Sequence, residues 1–265
     1  MRRTILLLTA VAVAILLVGG VALAKNISCA RQGGNVCVGT NRADTMTGTN
    51  RADIVKARGG NDAVMARGGN DEVFGHDGFD GPLDGGSGND TLNAGPSPTT
   101  GFEFLSGGPG DDTLVESPGR DQYIFEPSWG DDQITGDGDQ PGIQADSDDL
   151  CFTCGTTAVT AGVTVNLATG TATDGTNTVT WDAATVPFIE RVFGGLGAVN
   201  ITGSARSNSV FGSEGGDTIN VSGDGGNDTV GCGGNDEDTD TVTKDTEDRI
   251  LTGTCGPEDT IIDVP

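Results

Sequence analysis

The chain is poor in most of what builds an ordinary domain. Of its 265 residues only 5% are aromatic, and one is histidine. Lys and Arg number 14 against 39 Asp and Glu, a formal net charge of −25. So few cations exclude binding through nucleic-acid phosphates, which needs clusters of Lys and Arg. A single histidine leaves little for general acid–base catalysis, which uses that side chain most often. H-E-x-x-H and G-x-S-x-G are both absent. Hydrophobic residues reach only 34%, part of them in an apolar leader, while glycine fills 45 positions against a usual ~7%. That mixture cannot make a helical or Rossmann-type core. On charge and hydropathy it borders on disorder, unless something outside the polypeptide neutralises and orders it.

Residues 1–24 have the layout of a secretory signal peptide: Arg2 and Arg3, the uncharged apolar run Ile5–Val18, then Ala22-Leu23-Ala24 as the cleavage site. An uncleaved membrane anchor is the other reading of that run. Cleavage leaves no membrane span in the mature chain, whose charge falls to −27 with the loss of Arg2 and Arg3. Six cysteines remain, an even number that suggests disulfides in an exported chain. The expected pairing is of nearest neighbours: Cys29–Cys37, Cys151–Cys154 and Cys232–Cys255. Cys151 and Cys154 have C-x-x-C spacing, but no second pair or histidine cluster completes a zinc site.

Asp44, Asp53, Asp62, Asp71 and Asp80 follow one another at intervals of nine, and Met46, Val55, Val64 and Val73 stand two residues after the first four. Cleaner copies are Gly85-Gly-Ser-Gly-Asn-Asp90-Thr-Leu92, Gly107-Gly-Pro-Gly-Asp-Asp112-Thr-Leu114, Gly212-Ser-Glu-Gly-Gly-Asp217-Thr-Ile219 and Gly223-Asp-Gly-Gly-Asn-Asp228-Thr-Val230. The series resembles the hemolysin-type (RTX) calcium-binding repeat, G-G-x-G-x-D-x-U-x with U a large apolar residue. The resemblance spans most of 39–135 and 203–250, and has the look of secreted actinobacterial repeat proteins. It implies an all-β fold, a parallel β-roll or β-solenoid of nonapeptides, with several Ca2+ ions. Carried over position by position, the metal residues are Gly60, Asp62, Gly69, Asp71, Gly78, Asp80, Gly86, Gly88, Asp90, Gly108, Gly110, Asp112, Asp132, Gly215, Asp217, Gly226 and Asp228. Asp44 and Asp53 are weaker candidates: Arg42 and Arg51 stand where the fourth glycine should be, which makes these turns candidates for calcium-free caps. Asn208 replaces the aspartate of another turn, which is expected only to pack.

The residues support the same account physically. Glycine-rich turns allow left-handed backbone and close approach. The three residues after each turn suffice only for a brief strand, with one apolar side chain pointing inward. Two nonapeptides make a coil, and coils stack at ~4.8 Å. Aspartates 18 apart then form like-charged columns. Carboxylates and turn carbonyls supply the oxygens that Ca2+ takes; there is no soft ligand for a transition metal.

The expected organisation is a leader over 1–24, a first repeat block with a disulfide-bearing cap over 25–136, an acidic linker and β spacer over 137–202, and a second block with a C-terminal cap over 203–265. Residues 93–104 are expected to be an inserted loop, 121–134 an aromatic segment closing the first block, and 137–149 a solvated linker. His76 occupies a variable turn position. The chain is therefore expected to be a secreted, non-enzymatic calcium-binding protein, structural or adhesive, outside the cell or at its surface. Its partners beyond calcium are a cell-surface glycan or a protein. The competing reading is a polysaccharide-active lyase, hydrolase or epimerase on a parallel β scaffold.

Overall fold

A computed structural model describes residues 25–32, 35–96, 102–115, 117–136, 148–182, 189–223, 225–233, 238–251 and 253–265. The leader expectation lies outside them. Among the described residues no helix is long and apolar enough to cross a membrane.

In the repeat turns the short strand carries its apolar side chain two residues after an acid, and outside the spacer successive strands run alternately up two facing sheets. One sheet has eleven strands, from Lys25–Ser28 to Arg249–Ile250, and the other thirteen, from Val36–Val38 to Thr260–Val264. Outside the spacer, neighbours in each sheet pair in parallel: Met46 lies opposite Val64, and Ile54 opposite Glu72. The result is a parallel β-solenoid of about eleven coils. The only helix among the described residues is the 3-10 turn Cys29–Arg31.

The interior is two columns of apolar side chains. Met46, Val64, Leu83, Leu105, Tyr123, Leu150, Val192, Val210 and Val230 stack behind one sheet; Cys37, Val55, Val73, Leu92, Leu114 and Ile134 stack behind the other. All of them are fully buried or nearly so. After Asp80 the apolar position holds Pro82, and the chain takes one extra residue so that Leu83 fills the slot opposite Val64.

The spacer departs from the expected layout. Asp148 and Asp149, read as the end of a solvated linker, are buried in the strand Asp148–Cys151, paired to Arg120–Ile124 on one side and Ile189–Phe193 on the other. An acid–x–apolar pattern, Asp148 to Leu150, carries the coil register across the gap. Residues 137–147 lie outside the described ones. In the aromatic segment Phe125 and Trp129 pack on Phe152 of the spacer, with ring centroids 5.3 and 5.6 Å away. The expected loop at 93–104 is likewise shorter, because Phe102–Ser106 is a strand beside Arg120–Ile124. In the thirteen-stranded sheet, Val163–Asn166, Thr171–Thr173 and Thr178–Trp181 form an antiparallel meander whose outer strands pair in parallel with the coils before and after it. The three disulfides join the expected neighbours.

Candidate metal centre

The turns bring the aspartates into two columns, one on each edge of the solenoid. Within a column the carboxylate of one coil accepts the backbone N–H of the aspartate one coil earlier. Asp62 Oδ1 takes the N–H of Asp44 at 2.7 Å, and Asp80 Oδ1 that of Asp62 at 2.8 Å. On the other edge the series runs Asp53 to Asp71, Asp71 to Asp90, Asp90 to Asp112 and Asp112 to Asp132, at 2.6–2.8 Å. The later coils continue it: Asp217 accepts from Val199, Asp228 from Asn208, Asp240 from Asp217, Asp248 from Asp228 and Asp259 from Asp240. Asp121, Asp148, Asp240, Asp248 and Asp259 were not among the sequence candidates. The signal was present in every case, an acid two residues before a buried or end-of-stack apolar residue; Glu103 before Leu105 obeys it too.

The second carboxylate oxygen divides the turns into two classes. In Asp62, Asp71, Asp80, Asp90 and Asp112, Oδ2 is buried and has no hydrogen-bond partner. In Asp44 and Asp53 it accepts both the N–H and the hydroxyl of a threonine four residues earlier, Thr40 or Thr49, at 2.6 and 2.8 Å. Asp121 accepts the Ser117 N–H at Oδ2 and its hydroxyl at Oδ1, and the Asn208 amide Oδ1 accepts both from Ser204. The backbone explains the split. In the first class the second turn residue is left-handed: φ is 87° at Arg58, 84° at Arg67, 72° at His76, 91° at Gly86 and 95° at Gly108. Thr40 and Thr49 are not left-handed, and their N–H groups reach the carboxylate. Left-handed backbone costs a non-glycine residue ~1–2 kcal/mol. Arg58, Arg67 and His76 adopt it nonetheless.

The glycines sit where side chains would collide. A Cβ on Gly110 would lie 1.9 Å from the carbonyl oxygen of Gly88, and one on Gly88 2.0 Å from that of Gly69. A Cβ on Gly107 would lie 2.2 Å from Asp112 Oδ2. Carbonyl oxygens and carboxylates are thus crowded together with no side chain between them.

These carboxylates are electrostatically unfavourable by themselves. Burial, then repulsion from neighbouring acids, raises Asp62 and Asp71 to about 6, Asp80 and Asp112 to about 7 and Asp132 to about 8, against the partial relief of the backbone N–H. Asp90 is raised for the same reasons. Orphaned buried anionic oxygens beside carbonyls form an all-oxygen donor set that fits a hard divalent cation.

The family model of the RTX calcium-binding nonapeptide repeat matches four copies, at residues 38–73, 47–81, 82–96 and 99–115. Within residues 38–115 the chain carries hemolysin-type repeats. Its RTX repeats bind Ca2+, and the buried aspartates of the stacked turns are consistent with that. No curated protein matches the chain.

The threonine-closed turns are expected to be indifferent to calcium. The double variant Thr40→Val, Thr49→Val keeps the backbone donors and loses two hydroxyl bonds. It should lower stability by about 1–3 kcal/mol, by the same amount at low and high calcium. Denaturant unfolding at two calcium concentrations measures this. A loss that disappears at high calcium would place metal in those turns.

Proposed function

We propose that the chain is a secreted calcium-binding β-roll with a structural or adhesive role at the cell surface or outside it, and that it is not an enzyme. The observation that carries this reading is the set of five buried Oδ2 atoms without hydrogen-bond partners at Asp62, Asp71, Asp80, Asp90 and Asp112. Ions would be held there with the carbonyls of the glycine turns. Asp132, Asp217 and Asp228 join the set by their position in the repeat, whereas Asp44 and Asp53, already satisfied by threonines at Oδ2, hold none. Bound Ca2+ supplies the positive charge that columns of buried carboxylates lack.

Export is supported by the leader-like sequence and by three disulfides, which persist in oxidising surroundings. A non-catalytic role is supported by the employment of the turn aspartates, whose carboxylates are engaged by backbone N–H groups of the preceding coil. The division at 137 and 203 marks where repeat turns stop and resume, while the sheets run through the spacer.

The decisive experiment counts calcium per chain by metal analysis after gel filtration. Several ions are expected. The double variant Asp90→Asn, Asp112→Asn should retain fewer, and a folded protein with no calcium would end the proposal. Mass spectrometry of the exported chain should find Lys25 at its N-terminus.

A further inference from the structure

The charge of this acidic chain is unevenly distributed. Residues 25–67 hold seven Lys and Arg against three aspartates, while 68–265 hold five against 36 acids. Arg42, Arg51, Arg58 and Arg67 form no ion pair among the described residues, although the chain offers many carboxylates. Arg58, Arg67 and His76 occupy the left-handed turn position that Gly86 and Gly108 occupy in the next coils. Three consecutive turns therefore keep a basic or imidazole side chain where glycine would sit without strain. Strain retained in this way marks a requirement for the side chain itself.

Arg58 and His76 are direct neighbours in parallel register and line an open groove of about 370 Å³ with Asn41, Gly59 and Asp77. Next to them the Phe74 ring lies 5.8 Å from the His76 ring at an interplanar angle of 22°, and the Lys56 ammonium is 5.9 Å from the Phe74 centroid.

We propose that this groove binds an acidic polysaccharide through its uronate carboxylates. A guanidinium forks onto a carboxylate through two parallel hydrogen bonds. Lys56 adds a second cation on the same face. Asn41 and Asp77 offer a donor–acceptor set for ring hydroxyls, and the Phe74–His76 shelf offers an apolar surface for the face of a sugar ring. Asp77 can accept hydrogen bonds from ring hydroxyls, which a plain polyphosphate does not offer. The inference rests on the interaction role proposed above and gives that role a ligand.

The test uses the full mature chain in calcium and a uronic-acid oligosaccharide too short to gel with the metal. Titration calorimetry compares it with a neutral oligosaccharide of equal length and with polyglutamate of equal charge. The variant is Arg58→Gly, His76→Gly, which restores the glycine used by neighbouring turns. Melting curves should show it unchanged or more stable, so a loss of binding is not a loss of fold. The uronate is expected to bind, the neutral sugar not to bind, and the variant to bind about tenfold more weakly, as loss of one charge-assisted pair implies. Failure of the folded protein to bind, equal binding by the variant, or equal binding of polyglutamate overturns the proposal. Calcium content is read on the same sample, so non-binding by calcium-loaded protein counts against the groove and not against the metal sites.

Discussion

Chelation of calcium is expected to abolish most of the β-sheet circular dichroism of the purified chain, and readdition to about 1 mM to restore it. The interior supports this expectation. The repeat coils of the first block bury few and mostly small apolar side chains, such as Met46, Val55 and Ala57, between columns of buried carboxylates. Extracellular calcium modules bind with Kd on the order of 10⁻⁴–10⁻³ M. At about 1 mM free calcium each site then contributes roughly 0.4–1.4 kcal/mol. Six or so sites together contribute about 2–8 kcal/mol, which is comparable to the ~5–15 kcal/mol that holds a whole domain. The first coils should resist longest, since Asp44 and Asp53 are closed by threonines and the Cys29–Cys37 disulfide ties the chain beside them. A spectrum unchanged in excess chelator, with no metal retained, would remove calcium from the account of this fold.

Calcium affinity should rise steeply with pH between about 5.5 and 8. Asp62 and Asp71 ionise near 6, Asp80 and Asp112 near 7 and Asp132 near 8, all above the ~3.9 of an unfolded aspartate. Carboxylates raised in this way favour the fold when protonated. Without metal, their contribution is complete below about pH 4 and is lost as pH rises through 6 to 8. The metal-free chain is therefore expected to be more ordered at pH 5 than at pH 8. Calcium inverts the order, because it must displace those protons. The midpoint of a calcium titration should fall at least about tenfold in concentration from pH 5.5 to pH 8, with proton release that calorimetry in two buffers detects. Equal midpoints at both pH values would show that the raised carboxylates are not the ones that meet the metal.

Much of this was legible in the residues because the repeat has a single phase. Nine-residue spacing placed Asp44 to Asp80 on alternating edges, and both the edges and the inward positions lie where that spacing puts them. The spacer was less legible. Asp148 sits 27 residues after Asp121 in the ladder, too far for a nonapeptide rule, and acid-rich surroundings look the same whether solvated or stacked. The local pattern of acid, any residue, apolar residue would have recovered it. The split between turns was visible only in part. Arginine at the fourth position flagged the turns of Asp44 and Asp53, but the cause lies two residues earlier. There, threonine keeps ordinary backbone and turns its N–H and hydroxyl on the carboxylate. No composition or period reports a backbone dihedral, and for the same reason His76 reads only as a variable turn residue and Arg58 draws no notice.

The ladder has a direction. Every rung runs from an amide in one coil to a carboxylate in the next, so the two ends of the rod finish differently. At the amino end Asp44 Oδ1 is buried without a hydrogen-bond partner among the described residues, because the Lys25 N–H opposite it goes to the Ala43 carbonyl. Erosion from the carboxyl end strands one amide per column, a modest neutral loss; erosion from the amino end strands an anion. Trimming should therefore be tolerated at the tail and resisted at the head, and a chain growing from its amino end adds each new carboxylate to a donor already in place.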